Sequence, residues 1–154
     1  MDNGFARLSY ESSLRSLDKQ EGLVDELRAR TGLLIAASSL AASFLGQPAL
    51  ARAGTILTAL ALSAFAHSVA SSLYVLIPKR GLVFSVAGSG LYEGLFEFRD
   101  DMTEVYRRMA YDLDRFWEAN DRKLQRLFLA FTVAALALGA EVILLLSSIA
   151  DTLS

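Results

Sequence analysis

Residues 127–150 read LFLAFTVAALALGAEVILLLSSIA, an apolar run of 24 residues interrupted by a single acidic side chain, Glu141. A helix of that length covers roughly 36 Å at about 1.5 Å per residue, enough for the ~30 Å hydrocarbon core of a bilayer. Arg122, Lys123 and Arg126 precede it. Two other apolar stretches have basic neighbours in matching places. Arg28 and Arg30 precede 33–46, and Lys79 and Arg80 follow 55–77. Basic flanks stay on the cytoplasmic side of a membrane. The pattern therefore predicts an all-α membrane protein with three transmembrane helices, its N-terminus in the cytoplasm and its C-terminus outside.

The composition agrees with that reading. An apolar content of 53% and a mean hydropathy of +0.37 are high for a soluble domain, and 154 residues allow one domain. The net charge of −2 gives no general attraction to nucleic acid. Without cysteine there is no disulfide, thiolate nucleophile or Cys-ligated zinc. Arginine outnumbers lysine twelve to three and alanine is abundant, a usage associated with high-GC bacterial genomes, so a bacterial inner membrane is the expected location. Ala49-Leu50-Ala51 resembles a signal cleavage site. The polar stretch of thirty residues before the apolar run is far too long for a signal n-region, so the segment is expected to be retained.

Outside the spans the chain is amphipathic. In 5–30, Tyr10, Leu14, Leu17, Val24 and Leu27 fall at helical steps, and charges of both signs are interspersed. This predicts a cytoplasmic helix that runs directly into a first span at 31–46. Gly46-Gln47-Pro48 is expected to end that span, because proline disfavours the α region in the residue before it. Pro48 then suits the first turn of a second span at 48–77, which makes a tight antiparallel hairpin. Residues 79–100, with four glycines and with Glu93 and Glu97 near the end, read as an irregular interfacial segment. In 101–126, Met102, Tyr106, Met109, Leu113, Phe116 and Asn120 recur every three or four residues. They predict a helical stripe for oligomer or partner contact. No glycine or proline separates it from the third span at 127–150.

Small residues let helices approach closely in lipid. The first span carries Gly32, Ala36, Ser39, Ser43 and Gly46, with Ala37 and Ala41, and Ser38 and Ala42, as further small pairs, and the second carries Thr55, Ala59, Ser63, His67 and Ser71 at four-residue steps. Two ionisable groups stand out among them. The charged limits of the second span put His67 near the bilayer centre, and those of the third put Glu141 about 4 Å to its outer side. A charged side chain there costs about 2.5–3.5 kcal/mol on insertion scales. Both should face the bundle interior or a wet cavity. They are offset by roughly 6 Å along the normal, so they can meet but need not. A protonated Glu141 bonded to Ser63 or a backbone carbonyl is the alternative. The candidate intramembrane or pore-lining residues are thus His67, Glu141, Ser63, Ser71 and Ser39. One histidine with one carboxylate makes no metal-ligand set, and no serine is poised as a nucleophile. No catalytic residue, enzyme activity, metal or cofactor is expected.

The run 23–30 leading into 31–46, the turn at 46–54 and the exit at 74–80 resemble, in architecture, the SLATT group of small bacterial membrane effector proteins of nucleotide-signalled antiviral defence. That resemblance implies an oligomer that forms a pore or disrupts the membrane when signalled. The residues themselves leave two readings open. One is a homo-oligomer in the lipid bilayer that conducts ions. The other is a non-conducting scaffold or accessory subunit whose cytoplasmic helices dock a protein partner.

Overall fold

A stretch of 49 residues without proline, Met102–Ala150, forms one uninterrupted helix. The computed structural model describes residues 3–50, 56–85 and 88–150. Within them lie α1 (Asn3–Leu50), α2 (Ile56–Leu76), α3 (Gly88–Leu95), a 3₁₀ turn (Phe96–Phe98) and α4 (Met102–Ala150), and no strand is present among the described residues. α1, α2 and α4 are each long and apolar enough to cross a membrane. Thr55, assigned above to the second span, lies outside the described residues.

Two expectations are corrected. The first helix does not stop at Gly46; it continues two residues past Pro48 to Leu50, and α2 begins at Ile56 rather than at 48. So close to a C-terminus, Pro48 sacrifices little of the hydrogen-bond ladder, because the end of the ladder is unsatisfied in any case. The segment 79–100 is also not irregular throughout. It contains α3 and the 3₁₀ turn, where Tyr92 and Phe96 bring their rings to 5.2 Å and Arg99 lies over Phe96 at 4.4 Å.

The chain divides into two compact units. The first comprises Met1–Asp25 and Lys79–Gln125. Here α1 and α4 run parallel, as successive contacts show. The rings of Tyr10 and Tyr106 lie 5.7 Å apart, Ser13 Oγ donates to Asp114 Oδ1 at 2.7 Å, and Gln20 Nε2 donates to the Trp117 carbonyl at 3.2 Å. Leu17, Val24, Leu113 and Leu124 are buried. Asn120 is buried too, and its amide pairs with the backbone of Val83 in both directions: the Val83 N–H donates to Oδ1 at 3.1 Å and Nδ2 donates to the Val83 carbonyl at 2.8 Å. Lys123 Nζ holds the Gly81 carbonyl. Gly81 sits at φ +85°, a left-handed conformation that glycine adopts without steric cost. The strap at 81–83 is therefore tied to α4 by side chains instead of by a sheet or helix.

α4 starts on Asp101, whose Oδ1 accepts from the backbone N–H of Thr103 at 3.0 Å and of Glu104 at 3.2 Å. Glu104 is in turn gripped by Arg108 at 2.8 Å and Arg107 at 2.6 Å. The hydrogen bond from Arg108, helped by that from Arg107, holds the Glu104 carboxyl below its ordinary value of 4.5. A carboxyl depressed in the folded state stabilises that state above its unfolded value and loses the contribution as pH falls through its folded value. Acidification from neutral pH to below the ordinary carboxyl range should thus fray the start of α4. Amide hydrogen exchange at residues 102–108 should rise in the wild type and be much less pH-dependent in Glu104→Gln.

The second unit comprises Glu26–Pro78 and Arg126–Ser154. Leu27, Val75 and Leu127 form one apolar layer, with Ala130 and Phe131 against it. Ala61 and Leu145 form another, with Leu45 and Leu144. The order of residues through the two layers shows that α1 and α4 run in the same direction and α2 in the opposite one. Between the layers the interior is small and polar, as the burial of Thr31, Ser38, Ser68, Ser72, Ala134 and Glu141 shows: none is more than 1% exposed.

Candidate functional site

The polar interior of the second unit is assembled from helix faces that repeat every seven residues. On α4 these are Leu127, Ala134, Glu141 and Ser148, and on α2 they are Ala61, Ser68 and Val75; all are buried. A step of seven turns an ideal helix by only about 20° from a full number of turns, so such positions stay on one face. Glu141 lies on that inward face. Ser38 Oγ donates to Glu141 Oε2 at 2.7 Å, and Glu141 Oε1 is buried without a hydrogen-bond partner. Ser68 Oγ donates to the Ala134 carbonyl at 3.1 Å, which ties α2 to α4. Thr31 Oγ1 closes on the Leu27 carbonyl of its own helix at 2.7 Å. The buried Ser72 hydroxyl has no partner.

His67 does not meet Glu141. Its Nδ1 donates to the Ser63 carbonyl one turn back, at 2.8 Å, and the residue is exposed on the outer face of α2. Ser63 and Ser39 are also exposed, and Ser71 is half-buried. The two prominent ionisable groups therefore belong to different environments. Glu141 is enclosed between helices, and His67 is presented to whatever surrounds them.

Residues of the contact stripe on α4 are divided by depth. Leu113 and Asn120 are buried within their own chain. Tyr106, Met109 and Phe116 are half-buried, and Met102 is exposed. Beside this stripe, Phe5, Ala6, Asp101, Glu104, Arg107 and Tyr111 line an open groove of about 800 Å³. Phe5 and Tyr111 are largely exposed along it. Among the described residues no three His, Asp or Glu side chains gather in a way that would hold a metal ion.

Thr31, Ser38, Thr58, Ser68, Ser72 and Ser148 are buried polar residues of this unit that the candidate intramembrane set omitted. The four-residue line Ala59–Ser63–His67–Ser71 drifts by about 40° per step and therefore leaves the inward face. The seven-residue line 61–68–75 keeps to it. The signal for Ser38 was available as well, since it lies seven residues after the buried Thr31 and fourteen after the buried Val24. No family model matches the chain, and no curated protein or solved structure shows significant similarity to it.

Proposed function

We propose that the chain is the protomer of an oligomeric inner-membrane assembly that conducts ions or permeabilises the bilayer. Its N-terminus would be cytoplasmic, and the outer face of α2 would be turned toward neighbouring copies or an aqueous path. The observation that carries this reading is the placement of His67: exposed on a helix long and apolar enough to span. A polar ring facing lipid near mid-span is costly. A second copy or water on that face removes the cost, and Ala59 and Ser63 on the same side allow close approach. The architectural resemblance to small membrane effectors points the same way.

The test is the mass of the nanodisc-embedded particle followed by ion flux in liposomes. A ring of several copies is expected, with flux reduced at least several-fold in His67→Ala while the particle mass is unchanged. A monomeric particle that never passes ions would leave the second reading, an accessory subunit. The specific feature favouring that alternative is the groove lined by Phe5, Glu104, Arg107 and Tyr111, which offers aromatic surface and charges of both signs to a protein partner.

A further inference from the structure

We propose that Glu141 and Ser38 form a binding site for one small monovalent cation, a proton or an alkali-metal ion, enclosed between the helices of a single protomer. The site does not depend on assembly or on a pore, because both residues come from one chain and lie inside its own second unit. Three observations converge on it.

The first is incomplete satisfaction. Glu141 is 1% exposed, its Oε2 accepts from Ser38, and its Oε1 has nothing to bond to. Buried carboxyl oxygens are rarely left so, because an unsatisfied one carries its full desolvation penalty.

The second is missing countercharge. The buried residues that α1 and α2 contribute to this unit are Leu27, Thr31, Ser38, Gly46, Thr58, Ala61, Ser68, Ser72 and Val75, and none is titratable. His67, the histidine of α2, is on the outer face and bonded to its own helix. Arg7, Arg30, Arg107 and Arg108 pair with other carboxylates. Among the described residues no ion pair reaches Glu141, whose side-chain partner is the neutral Ser38 hydroxyl.

The third is the chemistry of the donors. Carboxylate and hydroxyl oxygens are ligands for hard cations, and Ser38 Oγ keeps lone pairs after donating its hydrogen. A proton or an alkali ion neutralises the charge and occupies the open oxygen. Either one completes a group that the helices leave unfinished.

The experiment is difference infrared spectroscopy of the full chain in phosphatidylcholine liposomes, titrated with acid and separately with sodium chloride against choline chloride. The carboxylic-acid carbonyl band is assigned to Glu141 by its loss in Glu141→Gln. An acid band that grows on acidification and is displaced by sodium identifies an alkali-ion site. A band that responds to pH but not to sodium identifies a proton site. A band unchanged by either overturns the proposal, since the carboxyl would then be a fixed neutral clamp. Ser38→Ala keeps the carboxyl and supplies a second check should the glutamine variant not fold. Loss of that hydroxyl is expected to shift the acid or sodium midpoint about tenfold in concentration, and an unmoved midpoint would remove Ser38 from the site. Neither readout depends on flux or particle mass, so failure here and failure of the pore reading are separable.

Discussion

Ala134→Leu is expected to lower the stability of the packed spans by about 2–3 kcal/mol. Ala134 is 0% exposed, and its carbonyl accepts the Ser68 hydroxyl that joins α2 to α4. A contact of that kind needs close backbones, and three added carbons at the crossing would push them apart. Overpacking a tight interior costs typically about 1–3 kcal/mol. Losing an interhelical hydrogen bond in a bilayer adds on the order of 0.6 kcal/mol. Leucine is no less apolar than alanine, and lipid offers no hydrophobic drive between helices, so nothing offsets the lost fit. Denaturation in mixed micelles should register this as an earlier unfolding midpoint. Leu136→Ala serves as the control. Leu136 is 70% exposed, and trimming it should leave the midpoint nearly unmoved. Equal shifts in the two variants would mean that the Ala134 crossing is not where α2 is held.

Much of this architecture was readable from apolar run length. The continuity of α4 followed from the absence of proline and from a periodic stripe that continued into the apolar run. The merger of the first amphipathic stretch with the first span followed in the same way. What escaped was angular detail. Four-residue spacing places His67 beside Ser63 and Ser71, but that line coils around α2, and only the seven-residue rows face inward. Thus Ser38, not Ser39, reaches Glu141, one residue and about 100° away on the helix. The end of α1 was misplaced for a different reason. Pro48 is a strong local signal, yet near a helix terminus it removes little, and the chain continued through it. The strap at 81–83 was unreadable in principle from local pattern, since it is held by Asn120 and Lys123 from some forty residues away.

Glu141→Leu should change insertion and packing in opposite directions, and the contrast decides how the carboxyl is used. An ionisable group near the middle of a span costs about 2.5–3.5 kcal/mol on insertion scales. Replacing it with leucine should therefore raise the fraction of chains whose third span inserts, by up to roughly a hundredfold in the insertion equilibrium at about 1.4 kcal/mol per tenfold. A glycan acceptor placed after residue 154 and read in microsomes would report that fraction. Once inserted, the comparison reverses. The separated helices would expose the carboxyl to lipid, whereas the packed unit encloses it against Ser38. Glu141 thus favours association, and leucine should weaken the packed unit by about 0.6–2 kcal/mol, the range of interhelical polar contacts in bilayers. The unfolding midpoint in mixed micelles should fall modestly and lose its dependence on acid and sodium. A large fall that persists with no cation dependence in the wild type would make Glu141 a structural clamp. A modest fall with the dependence abolished would identify the carboxyl as an ion-binding group kept in the span despite its insertion cost.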